Sequence, residues 1–137
     1  MIAKHIPINS VNKSSFSGLV NYILDTKNKN ERIGIVRSVN CFSDRADCVV
    51  AEVLNTQQMN QRATSDKTYH LVVSFRDGEL SEDVLKKVED KLCDGLGFGE
   101  HQRLSVVHHD TDHLHIHIAI NKIHPSNLTI HNPHYDY

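Results

Sequence analysis

Long apolar runs, a surplus of one charge and a paired set of cysteines are all missing from this chain. The longest apolar stretches, Leu71 to Val73 and the alternating Leu114 to Ile120, fall far short of the roughly 20 residues that a membrane span needs. That excludes a transmembrane helix. The start, Met1-Ile2-Ala3-Lys4-His5-Ile6-Pro7, lacks a continuous apolar segment followed by a small-residue cleavage site, so a cytoplasmic protein is expected. The three cysteines, Cys41, Cys48 and Cys93, are odd in number and spaced unlike a zinc finger or redox motif, which suits reduced packing thiols. Repeats, low-complexity tracts and linkers are also lacking, so the 137 residues, 39% of them hydrophobic, read as one domain.

The net charge of −2 argues by itself against a polyanion ligand, since nucleic-acid binders usually carry a basic excess. The sum hides an uneven distribution. Residues 1–40 carry a balance of +4, residues 41–100 of −5 and the remainder of −1. A phosphate-attracting surface is therefore expected from the N-terminal third, with Lys4, Lys13 and Arg37 as its candidates. What the chain has in abundance is histidine, 11 residues, nine of them between His101 and His134.

Apolar positions Phe16, Leu19, Val20 and Ile23 follow helical spacing behind Ser14 or Ser15 as a cap, which predicts a helix over about 15–24. Tyr22 lies roughly 100° to one side of that stripe, so its phenol need not enter the core. Further helices are expected near 46–59 and 82–95, the latter capped by Ser81 and stopped by Gly95 and Gly97. Strands are expected over 2–8, 33–40, 68–75, 102–109 and 113–122. In the last, Leu114, Ile116, Ile118 and Ile120 share one face and His113, His115, His117, Ala119 and Asn121 the other. In 68–75, Thr68, His70, Val72 and Ser74 likewise make a polar face. The pattern predicts an α+β sandwich with a mostly antiparallel five-stranded sheet flanked by helices.

The segment from His108 to His117 reads as a hairpin, and its register decides which imidazoles meet. An even-length loop sets residue 108 opposite 115 and residue 109 opposite 114, and directly opposite residues share a face. His108, His115 and His117 then converge, a three-imidazole site for a divalent ion that leaves coordination positions open. Asp110 and Asp112 are placed to accept the outer N–H of a ligating ring.

The HxDxDxxHxH pattern, with Ser-Phe-x-x-Leu-Val-x-Tyr-Ile near the N-terminus and Tyr-His-Leu-Val-Val-Ser-Phe in the middle, resembles the relaxases that initiate plasmid conjugation, especially the IncP-type branch of the MobA/Mob-P group. The resemblance spans nearly the whole chain and implies an HUH-type single-strand DNA endonuclease, with His115-Ile116-His117 as the HUH element. It implies Tyr22 as nucleophile, Ser74 as a contact to DNA beside the nick, and His108, His115 and His117 as ligands of one divalent ion, magnesium or manganese. The implied partners are single-stranded DNA at an origin of transfer and relaxosome accessory proteins. His113 stands where the family motif often has asparagine. The run from His131 to Tyr137 contains no stop to any element, which suggests a catalytic domain, residues 1–137, cut from a longer protein.

The chemistry agrees. A phenol titrates near 10, so at neutral pH it attacks phosphorus only when the phosphate is polarised or a base takes its proton. A His-bound ion on a non-bridging oxygen supplies the first. His5, His70, Asp110 and Asp112 all stay open as the base. Two further classes share the histidines: a hydrolase that uses water as nucleophile, and a non-catalytic metal-binding domain. Rolling-circle replication initiators share the chemistry but place tyrosine after the HUH strand, whereas here it comes before.

Overall fold

Strand and helix boundaries follow the alternation of the sequence closely. A computed structural model describes residues 2–6, 15–25, 32–63, 66–76, 81–109 and 113–133. Its elements are β1 (Ile2–His5), α1 (Phe16–Leu24), β2 (Arg32–Val39), α2 (Ala46–Gln58), β3 (Thr68–Arg76), α3 (Glu82–Gly95), β4 (Arg103–His109) and β5 (His113–Asn121). The strands form one sheet in the order β1-β3-β5-β4-β2, and every pairing is antiparallel. This is the α+β sandwich expected. Of the first predicted strand, only the part up to His5 is observed as strand, since residues 7–14 lie outside the described residues. Among the described residues, no helix is long and apolar enough to cross a membrane.

The helices form for local reasons. The Ser15 hydroxyl accepts from the Gly18 N–H at 2.9 Å and opens α1. Ser81 does the same for α3 through Val84, where Glu82 and Asp83 suit the positive end of the helix dipole. α3 ends in a Schellman arrangement: the Gly97 N–H bonds the Asp94 carbonyl and the Phe98 N–H the Cys93 carbonyl. Gly97 supplies the φ of +88° that this stop requires.

Two cores sandwich the sheet. On one face Leu71, Val73, Leu114, Ile116, Ile118 and Ile120 pack with Leu85 and Cys93 of α3. On the other, Phe16, Leu19, Val20 and Ile23 of α1 and Val49 and Val53 of α2 pack on Leu104, Val106 and Ala119. The packing role expected of the cysteines holds for buried Cys93 and half-buried Cys41 and fails for Cys48, which is exposed. Burial raises the Cys93 thiol to about 12 and the Cys41 thiol to about 11.

A buried ion network fastens α3 to the sheet. Arg103, only 2% exposed, donates from Nε to Glu89 at 2.7 Å and from Nη2 to Asp90 at 2.6 Å. Arg37 reaches the same carboxylates, 3.4 Å from Glu89 and 3.1 Å from Asp90. At the far end of the sheet from His108 and His115, His101 is buried, and its Nδ1 donates to the Asn121 carbonyl at 2.7 Å.

Burial, with smaller contributions from nearby His124 and His131, lowers the His101 pKa below its ordinary 6.5. The folded state thus resists protonation that the unfolded chain accepts, so stability is full above pH 6.5 and declines as pH falls from there toward the lowered value. Urea denaturation between pH 7.5 and 5 should show this loss in the wild type and a shallower one in His101→Asn, which retains a donor for Asn121. Parallel pH profiles would contradict the assignment.

Candidate active site

The face of the sheet on which α1 and α2 pack carries the candidate residues at one end. β4 and β5 pair His108 with His115 and His109 with Leu114, the register that an even loop demands. His117 lies opposite Val106 on one side and Val72 on the other. His108, His115 and His117 therefore share a face, with ring centroids 4.4 Å apart for His108 and His117 and 6.5 Å for His115 and His117. His108 is fully buried and the other two are half-buried.

Two of the imidazoles are held from β3 and the third from α1. The Ser74 Oγ lies 2.9 Å from His115 Nδ1, on the pair of strands that sets Ser74 opposite His115. His70 Nε2 lies 3.2 Å from His117 Nδ1. His108 Nε2 donates to the carbonyl of Ile23 at 2.5 Å. That carbonyl belongs to the last turn of α1, where backbone acceptors lack helical partners, so a histidine of β4 caps the helix that carries Tyr22. Tyr22 is half-buried and packs against the α1 core cluster.

Tested against a divalent ion, the donor set fits by chemistry: three imidazoles from a rigid sheet, each with one nitrogen engaged by an outer partner, as ligating histidines usually are. Among the described residues no group of three or more His, Cys, Asp or Glu side chains already stands at metal-holding distances. Asp110 and Asp112, expected as outer partners, lie outside the described residues, as does Lys13. Among the described residues, Ser74, His70 and the Ile23 carbonyl do the holding. His70 was legible as a residue of the polar face of 68–75 and as a candidate base, not as a partner of His117, and the carbonyl left no signal in the sequence.

The candidate DNA contacts divide. Lys4, exposed and paired with Val72, projects from the histidine face. Arg37 does not. It pairs with Ser105, which points it to the α3 face, and Glu89 and Asp90 engage its guanidinium. Its positive charge is spent on the ion network, which corrects the expectation drawn from the charge distribution.

Because a carbonyl oxygen only accepts, His108 in its neutral form must carry its proton on Nε2. Heteronuclear NMR at pH 8 should find that tautomer; an Nδ1–H tautomer would contradict the contact with Ile23.

Comparison with known proteins gives the family. A family model, relaxase, MobA/VirD2-like, nuclease domain, matches residues 22–137. Two Escherichia coli proteins, each called TraI, are 57% identical over 98% and 100% of the chain, which spans only 18% and 19% of their lengths. The MobA protein of Acidithiobacillus ferrooxidans is 38% identical over 49% of the chain and 17% of its own length. No solved structure gives a significant match. The chain belongs to the family of MobA/VirD2-like relaxase nuclease domains.

Proposed function

We propose that this domain nicks single-stranded DNA at a plasmid origin of transfer by tyrosine transesterification and so initiates conjugative transfer. The observation that carries the reading is the contact from His108 to the Ile23 carbonyl, which fastens the tyrosine-bearing turn of α1 to the histidine face. Tyr22 is the nucleophile. Its phenolic oxygen forms a bond to phosphorus while the bond from phosphorus to the 3′ oxygen breaks, and in net terms the phenol proton ends on the released 3′-hydroxyl. One phosphodiester replaces another, so the strand can be rejoined by the reverse reaction.

His108, His115 and His117 would hold a divalent ion, magnesium or manganese, which when bound offsets charge on the non-bridging phosphate oxygens. The Ile23 contact commits Nε2 of His108 to the protein, so ligation by that ring would use Nδ1. Ser74 and His70 orient His115 and His117. Lys4 attracts the phosphate backbone from the same face. Single strands are preferred because in-line attack needs an exposed phosphate. Accessory proteins that deliver the domain to its origin, and a cytoplasmic location with the plasmid, follow from this reading.

The test is incubation with single-stranded oligonucleotides, with and without divalent metal, resolved on a denaturing gel. The wild type should give a free 3′-hydroxyl fragment and a denaturation-resistant adduct carrying the other fragment through its 5′ phosphate. Tyr22→Phe removes only the hydroxyl, so metal binding and most DNA affinity should survive while cleavage and adduct vanish. Metal-dependent cleavage by Tyr22→Phe at the wild-type rate would assign water as the nucleophile, and ion binding without cleavage by the wild type would leave a metal-binding domain. Lys4→Ala should lower the salt dependence of binding by about 0.7 log units per log unit of salt; Arg37→Ala should leave that slope unchanged.

A further inference from the structure

Three large apolar side chains stand exposed on the histidine face: Ile2 is 67% exposed, Ile33 36% and Val36 40%. Their placement is ordered. Ile2 pairs with Ser74, Ser74 with His115, His115 with His108 and His108 with Ile33, so one row across the five strands reads Ile2, Ser74, His115, His108, Ile33. The polar groups form its centre and an isoleucine stands at either end. With strands about 4.8 Å apart, the row is on the order of 19 Å long. Val36 lies opposite Val106, which is itself opposite His117.

The second isoleucine is there because of a bulge. Ile33 and Val36 are three positions apart and would point to opposite faces of a regular strand, but the register with β4 shifts between them and turns both toward the histidines. Gly34 stands within the shift, where a Cβ would lie 2.7 Å from Nε2 of the exposed His109 side chain. Bulges of this kind re-aim side chains beside functional sites.

Aliphatic side chains on an edge strand gain nothing from exposure, and what covers them must be anionic over the imidazoles and Lys4 yet apolar on both sides. A single nucleic-acid strand has that chemistry, since its bases are unstacked and present bare faces; a duplex hides them. Resting on the relaxase reading, we propose that Ile2 on one side and Ile33 with Val36 on the other form two shoulders on which the bases flanking the scissile phosphate pack.

The probe is the strand that the wild type cleaves out of a randomised single-stranded DNA library, bound in the presence of chelator so that it stays intact, with affinity read by fluorescence anisotropy. Ile2→Thr and Ile33→Thr keep β-branching and should keep the fold; if one does not, Ile2→Val stands in on the first shoulder and Val36→Thr on the second. Each should weaken binding roughly tenfold with an unchanged salt slope, because no phosphate contact is lost. Removing the single base that faces a given shoulder should weaken the wild type by a similar factor and add little to the loss in the matching variant. Affinity within about twofold of the wild type, or losses that simply add to those from base removal, overturns the shoulders and leaves the relaxase reading intact. A wild type that cleaves no member of the library overturns both.

Discussion

The pairing of β4 with β5 is the constraint on which the rest of the molecule depends. Alternate residues of β5 serve two purposes: Leu114, Ile116, Ile118 and Ile120 are at most 8% exposed under α3, while His115 and His117 occupy the opposite face beside His108. A slip of one residue would exchange the two sets. Since burying one such aliphatic side chain is worth about 1.5–3 kcal/mol, the four together hold the register far more firmly than any contact between imidazoles could. The apolar face therefore fixes where the histidines stand, and the site gains its rigidity from a core that it does not touch.

α1 is attached to that frame twice. Phe16, Leu19, Val20 and Ile23 are fully buried against β4 and β5, which fixes the rotation of the helix and sends Tyr22 to one side of the stripe. The Ile23 carbonyl then receives the His108 N–H, which fixes the end of the helix along its axis. On the other side of the sheet, the salt bridges from Arg103 and Arg37 to Glu89 and Asp90 join α3 to β4 and β2. Of these groups only Arg103 and Glu89 are buried, so removing either leaves an uncompensated buried charge and costs several kcal/mol, about 3–5.

Much of this was legible in the sequence because it rests on local periodicity. The period of two over 113–121 predicted both faces of β5, the spacing of Phe16, Leu19, Val20 and Ile23 predicted the buried stripe of α1, and Ser15 and Ser81 announced their helices. What escaped depends on pairing between distant segments. Arg37 looked like a contact for phosphate because charge counts ignore which face a strand residue takes; only its pairing with Ser105 sends it to Glu89 and Asp90. His70 acquires its role from the register of β3 with β5, and the Ile23 carbonyl from tertiary packing alone. Cys48, taken for a packing thiol, sits on the exposed side of α2. The β2 bulge, which turns Ile33 toward His108, shows only in the register of β2 with β4.

The most direct test of the central constraint is manganese-soaked crystals of the domain measured at the manganese edge. The account predicts one anomalous peak, held by His108, His115 and His117, with the His108 to Ile23 contact intact. A peak held by His109 or His113 in place of His108, or no peak on this face at saturating manganese, would contradict it.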